Sequence, residues 1–116
     1  MQRSFRLTRS EDFKRVRRDG KSYAHPLVVL IVQKNDQPRV RVGVAAGRTA
    51  GTAVYRNRAK RLLREAMRTL IPNIATGLDL ILIARPGLTS ATLEEVRQAL
   101  LVLLQRAQIL APAHEI

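Results

Sequence analysis

The sequence has no cysteine and no tryptophan, and it has only two phenylalanines and two tyrosines in 116 residues. Without cysteine there is no disulfide framework, no thiol nucleophile and no Cys-ligated metal. An aromatic content of 3% argues against the extensive base stacking of general single-strand binders. No apolar run approaches the roughly 18 residues that a membrane span needs. The opening residues MQRSFRLTRS contain no apolar signal-peptide core, and Glu11 and Asp12 are out of place in a transit peptide. These absences predict a cytoplasmic protein.

Groups for chemistry are equally sparse. The only histidines are His25, before Pro26 and without an evident partner, and His114, after Pro112. Asp12, Asp36, Asp79 and Glu65 lack the clustered spacing of two-metal phosphodiester cleavage. No Gly-rich loop leads into Lys-Ser/Thr, so there is no nucleotide-hydrolysis motif. The expectation is a chain with no catalytic residues and no metal ligands of its own.

Positive charge is abundant. Lys and Arg number 21 against 9 Asp and Glu, a net charge of +12 and a sequence pI of 11.6. A domain this basic calls for a polyanion, and nucleic acid is the default candidate. The excess is confined to residues 1–68. Residues 69–116 are close to neutral and read as scaffold. With 46% hydrophobic residues the chain supports one core, expected as a single RNA-binding domain over 1–116 with 110–116 as a tail.

Thr8-Arg-Ser-Glu11 fits a capping box opening a helix to about Arg18, ended by Asp19-Gly20 and docked by Phe13 and Val16. Leu27–Val32 reads as a strand buried on both faces. Asn35–Pro38 is a turn. Arg39–Val44 alternates, with Val40, Val42 and Val44 inward and Arg39 and Arg41 outward, so the two strands are expected to form a hairpin. Thr52 caps a helix that Pro72 stops, Leu78–Ala84 is a third strand, and Thr92–Glu95 is a second capping box before an apolar helix over 93–110. The order α-β-β-α-β-α predicts an α+β fold, a two-layer sandwich on a small sheet, with the right-handed crossover of general statistics.

The helix after Thr52 carries the functional signal. At 100° per residue, Tyr55, Ala59, Leu62, Leu63, Ala66, Met67 and Leu70 share an arc about 140° wide. Tyr55, with Phe5 and Tyr23, is therefore expected to pack. Asn57, Lys60, Arg61, Arg64 and Arg68 form the opposite face, with Arg56 and Arg58 on the flanks and only Glu65 as a counter-charge. Solvated faces usually mix signs, whereas Lys60-Arg64-Arg68 is a like-charge i,i+4,i+8 run that a polyanion would relieve. Arg suits phosphates and stacked bases through its planar fork. Asn57 is able to read a base edge or sugar hydroxyl, or equally to bond local backbone.

The stretch Arg41-Val-Gly-Val44, followed by Gly51-Thr-Ala-Val-Tyr-Arg-Asn-Arg-Ala-Lys-Arg-Leu-Leu-Arg-Glu65, resembles the bacterial ribonuclease P protein subunit, whose hallmark is an Arg-Asn-Arg helix followed by Lys-Arg and a further Arg. Ser10-Glu-Asp-Phe-Lys-Arg-Val16 and Ile83-Ala-Arg-Pro86 are similar to it as well. The resemblance implies an α/β sandwich with a left-handed βαβ crossover, of the ribosomal protein S5 domain 2 type. It implies the small subunit of a ribonucleoprotein that removes the 5′ leader of precursor tRNA, with Mg2+ and the chemistry held mainly by the RNA and substrate. Contacts to the RNA subunit are implied at Arg48, Arg56, Asn57, Arg58, Lys60, Arg61, Arg64 and Arg68. Leader contacts are implied at Phe13, Arg17 and Ile31, with Arg39 and Arg41 beside them. Arg17 and Ile31 stand where some members have aromatics, Thr49 where a basic residue is common, and Thr52 where Asn is common. Other classes compatible with the charge are a basic ribosomal or RNA-assembly protein and a DNA-binding domain. The spread of charge into residues 1–21 favours a broad folded-RNA surface over a single groove-reading helix.

Overall fold

A computed structural model describes residues 5–47 and 51–110. The described elements run α1 (Ser10–Asp19), β1 (Lys21–Ala24), β2 (Val28–Lys34), β3 (Val40–Ala46), α2 (Ala53–Arg68), β4 (Leu78–Ala84) and α3 (Leu93–Arg106), with 3-10 turns at Ile71–Asn73 and Leu88–Ser90. The fold is α+β. A mixed four-stranded sheet has the order β1-β2-β4-β3. β4 is antiparallel to β2 and parallel to β3, so β3-α2-β4 is a βαβ unit.

This order replaces the expected β2–β3 hairpin. The Asn35–Pro38 turn reverses the chain, but β4 inserts between the two strands. Its run of Leu78, Leu80, Ile81 and Leu82 is buried on both faces, a demand met only in mid-sheet. The structure also adds β1, which pairs with β2 alone and is mostly exposed.

Strand alternation divides the apolar side chains into two cores. Leu30, Val42, Leu80 and Leu82 face α2 and α3, where they meet Leu63, Met67, Leu100, Leu103 and Leu104. Burying each such side chain contributes about 1.5–3 kcal/mol. The other face carries Ile31 and Ile81, covered by Val16 of α1 and by Leu7. The sheet and α2/α3 form the sandwich, and α1 lies on the opposite face.

The helix ends follow local chemistry. Thr92 Oγ1 accepts the Glu95 N–H at 3.1 Å, and Glu95 Oε1 accepts the Thr92 N–H at 2.9 Å, the expected capping box. Thr52 caps α2, its Oγ1 accepting the Tyr55 N–H at 3.4 Å. The box at Thr8 does not form: the N-cap is Arg9, with no side-chain cap bond. The Leu7 N–H donates to the Val42 carbonyl at 2.9 Å and Arg6 bridges to Val42, so the chain runs beside β3 and stays extended through Arg9. α3 ends at Arg106 rather than near 110. Gln108 turns the backbone at φ 58° and Leu110 bridges back to Ile74. Among the described residues no helix is long and apolar enough to cross a membrane.

Candidate RNA interface

The buried stripe of α2 is Ala59, Leu63, Ala66 and Met67. This fixes the helix rotation and turns Asn57, Arg58 and Arg61 into solvent, with Arg56, Lys60 and Arg64 half-exposed. Among the described residues no carboxylate lies within ion-pairing distance of these five cations. Arg68 differs: its Nη2 and Nε contact Glu65 Oε1 at 3.0 and 3.3 Å. Arg48 and His114 lie outside the described residues.

The extended segment before α1 adds a cation the sequence did not single out. Arg6 faces α2 across a polar depression lined by Asn57, Lys60, Arg61, Arg64 and Glu65. Burial, and then the positive charge of Arg6, hold the Arg64 pKa below its ordinary value. Two guanidinium groups sharing a wall in this way favour an anion between them. The only sequence signal for Arg6 was the charge excess of the first 21 residues; its placement follows from the Leu7–Val42 hydrogen bond.

A second depression continues from the first through Arg6 and Arg64. Its floor is Val42, Gly43 and Val44, and its far wall is Phe13 of α1. A Cβ on Gly43 would lie 2.8 Å from Phe13 Cε2 and 3.1 Å from the Leu7 carbonyl, so only glycine lets the ring lie down on β3. The groove thus joins Phe13, expected at the leader, to Arg64, expected at the RNA subunit. Phe13 is half-buried and serves both as packing and as groove wall.

The other expected leader positions scatter. Arg17 is exposed on α1. Ile31 is 5% exposed and belongs to the core beneath α1, so its side chain offers almost no surface. Arg39 lines a separate apolar groove with Phe5, Pro38, Ile71 and Pro72. Arg41 is turned to the α1 face, where acids engage it. Its Nη2 meets Asp79 at 2.8 Å and its Nη1 meets Asp12 at 3.6 Å.

Asp79 is fully buried and is the centre of that network. It also accepts from Arg15 at 2.5 Å and from Asn35 at 2.8 Å. Arg15 in turn bonds Asp12 and Gln33. Burial alone would raise the Asp79 pKa, but the hydrogen bonds from Arg41, Arg15 and Asn35 outweigh it and hold the carboxyl below its ordinary value. The hydrogen bond to Asp79 likewise raises Arg15 and Arg41. Asp79 ties α1 to the sheet, a role that its neighbours in sequence do not reveal.

His25 has a local role, its Nδ1 accepting the Leu27 N–H at 3.1 Å. Phe5 and Tyr23 pack against the main core as expected. Tyr55 does not: it is 48% exposed, with the Arg58 guanidinium 5.7 Å from its ring centre. The first turn of α2 overruns the core, so the apolar arc is buried only from Ala59 onward. Among the described residues no three His, Asp or Glu side chains converge on a point that could hold a metal. Asp12 and Asp79 are both engaged by arginines, so these residues do not fit a resident Mg2+.

Comparison with known proteins places the chain in a family. A family model described as Ribonuclease P matches residues 1–108. The chain is 47% identical over 109 residues to the ribonuclease P protein component of Herpetosiphon aurantiacus, covering 94% of this chain and 89% of the relative. It is 43% identical over 117 residues to that of Brevibacillus brevis, covering 98% and 93%. The fold superposes on the Staphylococcus aureus RNase P protein with a TM-score of 0.81 at 28% identity, covering 91% of this chain and 97% of that one. For the Thermotoga maritima RNase P protein the TM-score is 0.77 at 33% identity, covering 87% and 96%. The chain belongs to the ribonuclease P protein family.

Proposed function

We propose that this chain binds the RNA subunit of ribonuclease P and the 5′ leader of precursor tRNA, and that it assists endonucleolytic removal of the leader in the bacterial cytoplasm. The observation that carries this is the row of α2 cations from Arg56 to Arg64, which have no acidic partner among the described residues, continued across the groove by Arg6. In this role Arg56, Asn57, Arg58, Lys60, Arg61 and Arg64 grip the folded RNA, joined by Arg48. The groove floored by Gly43 takes the leader strand, with Phe13 offering a ring face and Arg6 and Arg64 meeting its phosphates. Arg17 extends the basic border along α1. Arg68 and Arg41, each bonded to a carboxylate, contribute less. Mg2+ and the bond-breaking step reside in the RNA and substrate; this chain positions them.

The test is reconstitution. Adding the purified chain to a bacterial ribonuclease P RNA at low magnesium should raise the rate of precursor-tRNA cleavage. An unchanged rate sinks the proposal. A basic ribosomal or assembly protein would bind RNA without that rise.

A further inference from the structure

Tyr55 is the place where the apolar pattern of α2 and its packing disagree. The stripe continues to Tyr55 in sequence, yet the ring stands in solvent, as does Val54 at 68% exposure. Folding alone does not supply the cover that such a side chain takes up readily. Its surroundings narrow what could. Arg56, Asn57 and Arg58 follow it directly, and Arg58 places its guanidinium over the ring at 5.7 Å. An apolar protein surface would have to desolvate these cations without neutralising them. A nucleic acid brings a flat base for the ring and phosphates for the arginines.

The ring is also held ready. Gly51 has φ 126°, a left-handed backbone that favours glycine, and a Cβ there would lie 3.1 Å from Tyr55 Cβ and 3.4 Å from Cγ. The chain entering α2 therefore passes close to the root of this side chain. The Tyr55 N–H is fixed by the Thr52 cap. The cap holds the backbone at Tyr55 and Arg58 lies over the ring, so part of the ordering is in place before binding.

We infer that Tyr55 is a stacking platform for one unpaired base of the RNA subunit, with Arg58 as the cation behind it. The inference rests on the proposed function and adds to it a contact of a different kind. The remaining interface is phosphate-directed and weakens as salt displaces it, whereas stacking does not release counterions. Such a base lies in a loop, bulge or junction, because paired bases present no free face.

The experiment is a binding titration of the full-length chain with a bacterial ribonuclease P RNA transcript over a series of KCl concentrations. An unrelated structured RNA of equal length is the control. Tyr55→Ala should weaken binding about 5- to 100-fold at every salt concentration, giving a line parallel to the parent in a log–log plot. Tyr55→Phe keeps the ring face and should stay within about twofold of the parent. Arg58→Ala should reduce the salt slope by about one. Because Tyr55 is outside the core, all three should melt like the parent. Tyr55→Ala binding within about twofold of the parent at all salts would overturn the inference. So would a loss that fades at high salt with the slope of Arg58→Ala, since the ring would then only be steering the arginine. A parent chain that fails to prefer the ribonuclease P transcript over the control overturns the functional proposal itself, and the stacking role with it.

Discussion

Asp79 on β4 and Arg41 on β3 sit directly opposite each other in the parallel ladder and share two side-chain hydrogen bonds. Nε to Oδ1 and Nη2 to Oδ2 are each 2.8 Å. The pair is bidentate and closed off from solvent on the acidic side, since Asp79 has no exposed surface. Arg15 reaches the same carboxylate from α1, so one buried anion offsets two guanidinium groups.

Removing that anion should be severe. Asp79→Ala leaves Arg15 and Arg41 facing each other across the α1–sheet interface and is expected to cost about 3–5 kcal/mol of folding stability. Urea denaturation of the variant checks it. A midpoint equal to the parent's would mean that the network contributes nothing net.

The same carboxyl sets an acid limit. Its folded pKa lies below the ordinary value of 3.8. Its contribution is therefore fully present above about pH 4 and is lost as pH falls through the depressed folded value. Stability measured from pH 6 down to pH 2 should fall more steeply in the parent than in Asp79→Asn, with the two curves, separated at pH 6, converging below about pH 4.

Arg64 and Arg68 are one helical turn apart and should behave differently. Arg64 has no carboxylate within ion-pairing distance among the described residues and feels the charge of Arg6, while Arg68 is bonded to Glu65. Arg64→Ala should lower affinity for the RNA subunit and reduce the salt slope by about one, and Arg68→Ala should do markedly less. Equal losses in a salt-dependent binding titration would refute this ranking.

Gly43→Ala tests the groove floor. The new methyl group collides with the Phe13 ring and crowds the Leu7 carbonyl. The expected cost is about 1–3 kcal/mol in thermal or urea melting, as for other overpacked sites. Displacing the ring should also weaken binding of leader-bearing precursor tRNA more than of mature tRNA. A variant that binds both like the parent would separate Phe13 from the leader.

The legible parts of the fold were those written locally. Thr52 and Thr92 cap their helices because a hydroxyl followed by a free N–H is a three-residue event, and Leu78–Ala84 declares itself by an apolar run. The rotation of α2 was equally readable, since a wide apolar arc has one way to dock. What escaped was non-local. Lys21–Ala24 is short and mostly exposed and becomes a strand only because β2 is beside it. Thr8 satisfies the pattern of a capping box, but Val42, far along the chain, holds Leu7 extended. Arg41 looked like a free outward cation because nothing in its own strand reveals Asp79 next door. Tyr55 fits the stripe by angle yet lies past the end of the core, a matter of helix length against sheet width.

The pairing of Leu7 with Val42 has one more effect. It partly closes the side of the sheet that β3 would otherwise leave open, and the opposite side ends in a four-residue strand that begins with a lysine. Neither border presents a long unguarded ladder of peptide groups on which another copy could grow. The outline of the sheet and the net charge of +12 both work against edge-to-edge pairing between copies.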